Sequence, residues 1–327
     1  MSSSSPTPAE ADLRTRYDEL VARSPQGSIF ATSWWLDAVA GDRWRMHTVE
    51  KGEELVAAWP TVVRSGRFGP LHLGARLTPF LGPLLPPGEG ARRRSREVEA
   101  VELLLEGIGP YAHLEARCNP AFDYWTPLRW HGFTQTTLYT WRLLELSDPE
   151  EVFQGFGEKV RGHIRAAEKR GLVVEPASLG EFFELHERRA EGHTARDVTP
   201  LETVERIDAA AETRGARDIL VARDEEGRAR ACCYLVHDSR FTYYLMSATD
   251  GEIRGSAALV VLEAVKLAAR RGTGFDFEGS MLPRVEPFVR SFGGVPTPYS
   301  VVRHTPSRGL RAERALKRTV RGLLPRT

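Results

Sequence analysis

The chain has 327 residues, about twice a typical domain, so its length suits one large or two medium domains. With 41% hydrophobic and 27% charged residues it can build a core beneath a solvated surface. The balance of 45 Lys+Arg against 44 Asp+Glu excludes the uniform basic field of a nucleic-acid-coating protein. No apolar run reaches the ~20 residues of a membrane helix. Three cysteines without CxxC spacing support neither a disulfide framework nor a zinc site, and the histidines show no HxxxH or HExxH pattern, so no metal is expected. Residues 1–9, rich in Ser and Pro without a basic or apolar secretion signal, are expected to be a disordered leader of a cytoplasmic protein.

Taken in order, the pattern predicts helices over 10–23 and 29–40, the second with an aromatic face of Phe30, Trp34 and Trp35. Strands over 45–49 and 54–63 pair across Lys51-Gly52. Residues 66–90 are too broken by Gly and Pro for regular elements, and Phe80-Leu81-Gly82-Pro83 within them is a candidate lining for an acceptor cleft. A helix over 96–107, a strand over 111–117, a helix over 120–130 and a strand over 133–146 complete this half. Ser147-Asp148-Pro149 followed by two glutamates is a helix start, and the domain boundary is placed there.

The second half begins with helices over 149–170, 179–192 and 200–214 around a short strand at 173–175. Strands over 218–223, 229–237 and 241–248 form a meander. A helix over 255–271, a strand over 274–278, a helix over 284–292, a strand over 297–303 and a basic terminal helix follow. The fold class is α+β, with mixed sheets flanked by helices. The domains are residues 10–147 and 148–305, with 306–327 as the terminal helix.

Several segments together resemble one family. They are Lys159-Val160-Arg161 with Ala166-Ala167-Glu168-Lys169-Arg170-Gly171-Leu172, then Tyr243-Tyr244-Leu245-Met246-Ser247-Ala248, Gly255-Ser256-Ala257-Ala258-Leu259, Phe275-Asp276-Phe277-Glu278-Gly279-Ser280 and Ser291-Phe292-Gly293-Gly294. Their order resembles a GNAT acyltransferase domain, and Phe30-Ala31-Thr32-Ser33-Trp34-Trp35-Leu36 is similar to the opening of the Fem-like branch, which carries two such domains in tandem. The resemblance implies acylation of an amine from acyl-CoA or aminoacyl-tRNA. Two departures bear on the choice. A GNAT coenzyme A loop has Gln/Arg-x-x-Gly-x-Gly/Ala before its helix, and 252–258 supplies one glycine. No long helical hairpin of the kind found in cell-wall Fem-like enzymes is present, which favours a smaller acceptor.

The expected function is therefore amide formation on a small or peptide-like amine, with aminoacyl-tRNA as donor and no tightly bound cofactor. Acyl-CoA-dependent acylation and a catalytically silent GNAT-fold binding module are the alternatives. On the strand at 274–278, period two puts Asp276 and Glu278 on one face, about 7 Å apart, where one can accept a proton from an attacking amine. They are the candidate catalytic pair, against a reading in which they pair with arginines such as Arg284. Candidate substrate-binding residues are Ser280, Arg161, Arg165, Tyr244 and Arg284. Arg161 and Arg165 lie one turn apart on a basic stripe that also suits a solvated face. In the tail, Leu310, Leu316 and Val320 are expected to pack inward and Arg311, Arg314 and Arg318 to face outward, where they could meet tRNA phosphates.

Overall fold

A computed structural model describes residues 7–88, 90–190, 199–279 and 281–323. The chain divides into two compact units, one formed by Met1–Leu138 with Tyr299–Thr327 and the other by Tyr139–Pro298.

The first unit opens with α1 (Pro8–Arg23), where Thr7 and Glu10 cap each other reciprocally. A short 3-10 turn precedes α2 (Ser33–Ala40), so the expected single helix over 29–40 is interrupted at Thr32. The hairpin β1 (Trp44–Lys51) and β2 (Glu54–Arg64) has the expected turn, with Gly52 left-handed at φ 64°. Next come β3 (Leu71–Leu73), α3 (Gly90–Ile108), β4 (His113–Arg117), α4 (Thr126–Trp130) and β5 (Thr134–Leu143). Trp35 and Trp59 are fully buried. The Gly/Pro passage is a core element: Phe80 and Leu81 are buried, and Leu81 N donates to Arg117 O at 2.7 Å. Its backbone bonds seat it against β4, which corrects the expectation that Phe80-Leu81-Gly82-Pro83 lines a cleft.

The second unit contains α5 (Pro149–Gly155), α6 (Glu158–Lys169), β6 (Val173–Pro176), α7 (Leu179–Ala190) and α8 (Leu201–Glu212). The meander β7 (Arg217–Arg223), β8 (Ala229–His237) and β9 (Phe241–Thr249) follows, then α9 (Ser256–Arg271), β10 (Gly274–Asp276) and α10 (Glu286–Arg290). The helix expected over 149–170 is two helices. Gly157 N leaves the helical ladder to donate to Ser291 O at 2.8 Å, and a Cβ there would sit 3.3 Å from that oxygen. Nine residues of α9 are buried among Phe275, Phe277, Val160 and Ile164, which makes α9 the central support of this unit.

The last elements are β11 (Val295–His304) and α11 (Arg308–Leu323). In the first unit the strand order is β1-β2-β3-β4-β11, with β3 and β4 parallel and the other pairs antiparallel. In the second it is β5-β10-β9-β8-β7-β6, with β10 and β9 parallel. Each unit is thus α+β with a mixed sheet flanked by helices. The boundary expected at 147/148 is corrected to Leu138/Tyr139, inside β5, and residues 299–305 belong to the first unit. The helix start at Asp148 is real, since its carboxylate accepts from Glu150 N and Glu151 N, but it begins a helix and not a unit. No helix among the described residues is long and apolar enough to cross a membrane.

Candidate active site

The strand carrying the expected acids is short. β10 ends at Asp276, and Phe277 N makes one further ladder bond, to Trp141 O at 3.0 Å. The chain then turns through two successive left-handed residues, Glu278 at φ 57° and Gly279 at φ 62°. Glycine takes that conformation freely, and here it is required, because a Cβ on Gly279 would lie 2.2 Å from Tyr139 O. For Glu278 the same conformation is strained, as is common where a side chain is aimed for function. The expectation of a shared strand face is therefore corrected: Glu278 lies beyond the strand, held by a turn.

Asp276 supplies the hold. Its carboxylate is fully buried, and Oδ2 accepts from Arg142 Nε at 2.7 Å. Oδ1 accepts from the Thr140 hydroxyl and from Glu278 N, the latter at 2.8 Å. With three donors and a buried ion pair, Asp276 is a positioning group for the turn. Glu278 differs in every respect. Its Oε1 is buried and has no hydrogen-bond partner among the described residues. Burial, reinforced by the neighbouring Asp276 charge, pushes its carboxyl well above the usual range. The Glu278 carboxyl thus has an oxygen without a protein partner, whereas both oxygens of Asp276 are engaged.

Aromatic rings pack beside this turn. Phe275 and Phe277 meet edge to face at 4.9 Å, and Tyr244 lies 6.3 Å from each. Tyr244 is thus on the aromatic wall that carries the acids. Arg284 is exposed. Ser280 lies outside the described residues.

Arg161 is occupied within the protein: its Nη1 donates to Gln154 O at 2.5 Å and Phe156 O at 2.6 Å, capping the carbonyl end of α5. One guanidinium nitrogen of this expected phosphate contact is therefore engaged by the protein itself. Arg165 is exposed, with its guanidinium 5.6 Å from the centre of Phe153.

A second feature of this unit is the start of α9. Gly255 caps it at φ 96°, and a Cβ there would come within 2.2 Å of His163 O. The glycine thus lets α6 and α9 touch. Donors here are spent within the protein: Gly251 N bonds Thr249 Oγ1 at 3.2 Å, Glu252 N bonds Asp250 Oδ1 at 3.0 Å, and Ser256 N, at the helix start, bonds Ile253 O at 3.2 Å. Arg230 draws the Asp250 and Glu252 carboxylates to one guanidinium. Lys159 and Arg254 nevertheless bring positive charge here, and with burial as the larger cause they hold His163 below its usual pKa.

In the first unit, α11 meets the expectation at Leu310, which is half-buried, and at Arg311, which is exposed, but departs from it at Leu316 and Arg314. Leu316 is 66% exposed, while Arg314 turns inward and donates to His113 Nδ1 at 3.2 Å. Arg311 is exposed, and the side chains of Arg318 and Val320 lie outside the described residues. The outward basic stripe is corrected to a helix whose polar face is partly used by the protein itself.

Arg142 and Thr140, which hold the Asp276 carboxylate, were not singled out by the sequence pattern. They stand two apart on β5 and so share one face, opposite Asp276 on the paired strand.

Against known proteins, residues 155–283 match the family model described as "Acetyltransferase (GNAT) domain". No curated protein matches the chain. Among solved structures it is similar to FemX, with TM-score 0.68, 15% identity and coverage of 92% of this chain and 97% of that one. It is also similar to L-PGS from Bacillus licheniformis, with TM-score 0.51, 12% identity and coverage of 98% of both chains. These likenesses establish the fold, a Fem-like GNAT architecture.

Proposed function

Taking as premise that residues 155–283 form a GNAT acyltransferase domain, we propose that Glu278 is its general base and that the chain forms an amide on a small or peptide-like amine. The observation that carries this is the unpartnered, buried Glu278 Oε1 on a strained turn fixed by Asp276. The amine nitrogen attacks the donor's carbonyl carbon, the new C–N bond forms, and the donor's ester C–O or thioester C–S bond breaks. The amine proton passes to the Glu278 carboxylate and is then available to the leaving oxygen or sulfur. Asp276, Arg142 and Thr140 keep the turn in place without touching the reacting atoms.

As donor we propose aminoacyl-tRNA, which places the activity in the cytoplasm. The support is the stretch 250–256, where the amides of Gly251, Glu252 and Ser256 already donate within the protein and two carboxylates gather beside them, leaving a poor cradle for a coenzyme A diphosphate. Acyl-CoA is the second reading, favoured by the positive charge of Lys159 and Arg254 at the start of α9.

The test is turnover of an amine with charged tRNA and, separately, with acyl-CoA. Glu278→Gln lowers turnover by roughly 10² to 10⁴ without lowering the melting temperature. Full activity in that variant assigns the acid to packing and overturns the reading. Calorimetric titration with coenzyme A and with charged tRNA decides the donor, and tight coenzyme A binding weakened by Arg254→Gln overturns the tRNA assignment.

A further inference from the structure

The first unit holds a cavity of about 490 Å³, whose wall residues all fall between Arg23 and Leu103. That size is within the range of small-ligand sites, about 300–1,000 Å³. One wall is a stripe of α3: Arg96, Glu99 and Leu103 recur at helical spacing and so share a face. The facing wall is the β1–β2 hairpin, with Val49, Lys51 and Val56. The β1–β2 register shifts between Val49 and Glu50, and Val49, Glu50 and Lys51 all line the cavity.

The charges of the lining divide into two groups. Arg23 is spent on Leu55 O and Glu54, and Glu50 is held by Arg16 at 3.2 Å. Lys51, Arg96 and Glu99 line the same cavity and make no ion pair or side-chain hydrogen bond with any described residue. Two cations and one anion therefore remain free around apolar walls of Val49, Val56 and a 42% exposed Leu103.

We propose that this cavity binds a short zwitterionic peptide with apolar side chains. Its ammonium pairs with Glu99, its carboxylate with Arg96 and Lys51, and its side chains cover Leu103, Val49 and Val56. An apolar anion would leave Glu99 facing it uncompensated, and a neutral apolar ligand would bury three charges without partners. The site lies wholly in the first unit and does not depend on the acyl-transfer reading.

The experiment is calorimetric titration of the full chain with three probes: leucyl-leucine, its N-acetyl amide and decanoate. Leucyl-leucine is expected to bind, the capped analogue to bind at least tenfold more weakly, and Arg96→Gln and Glu99→Gln each to weaken the dipeptide by roughly tenfold, the size of a lost hydrogen bond to a charged group. Both residues are exposed, so the variants should keep the wild-type melting temperature. Absence of dipeptide binding at about 10 mM, equal binding of the capped analogue, tighter binding of decanoate, or indifference to both substitutions each overturns the proposal.

Discussion

Arg142 Nε lies 2.7 Å from Asp276 Oδ2, and the two side chains are 10% and 0% exposed. The guanidinium also stacks over Phe241, 4.3 Å from the ring centre. A pair this deep is costly to desolvate and costlier to break, because the surviving charge is left buried. It is placed to set the turn that carries Glu278.

Arg142→Leu should therefore destabilise the protein by about 3–5 kcal/mol, the range for removing one partner of a buried ion pair. Adding Asp276→Leu should recover only part of that loss, since Thr140 and Glu278 N lose their acceptor. Urea melts of the wild type, the single variant and the double variant measure both quantities. A single variant that costs no more than a surface substitution would show that the pair holds nothing.

Glu278 gives a pH signature of opposite sign to that of most acids. Its folded pKa is raised, so between the ordinary carboxylate range and that raised value the folded chain keeps a proton that the unfolded chain has released. Its stabilising contribution is complete in acid and is lost as pH climbs through the folded value. Relative to the wild type, Glu278→Gln should thus gain stability from pH 5 upward, and the two should converge at about pH 4. Thermal melts across that interval test it, and parallel curves would mean that the carboxyl titrates normally.

How legible these features were in the sequence depends on how local their causes are. The β1–β2 hairpin follows from alternation and a Lys51-Gly52 turn, and both were readable. The break at Phe156-Gly157 was not, because what removes the amide from the helix is Ser291 O, distant in sequence. The same holds at the site. Asp276 and Glu278 could be picked out as acids near a strand end, but the difference in their surroundings comes from Thr140 and Arg142 on another strand. In α11 the expectation failed at Arg314 because His113 and Thr305 offer it partners that no helical wheel contains.

That inward turn makes Arg311 and Arg314 separable. If charged tRNA is the donor, Arg311→Gln should reduce the slope of log affinity against log salt by roughly 0.7 to 0.9, one phosphate's worth. Arg314→Gln should leave the slope alone. It should instead raise the pKa of His113 part of the way, since burial is the larger cause of its depression and Arg314 the next. Filter binding over a salt series and imidazole NMR read the two effects. Equal slope losses in both variants would put Arg314 back on the outer surface.

The order of the two units along the chain also orders their assembly. Residues 139–298 leave the ribosome as an uninterrupted block, while the first unit must wait for β11 and α11. Until then β4 has an open edge, with the amides and carbonyls of Leu114–Arg117 awaiting Val301–His304. An unpaired edge of this kind is a template for wrong partners. In each round of synthesis, the unit begun first is the one completed last.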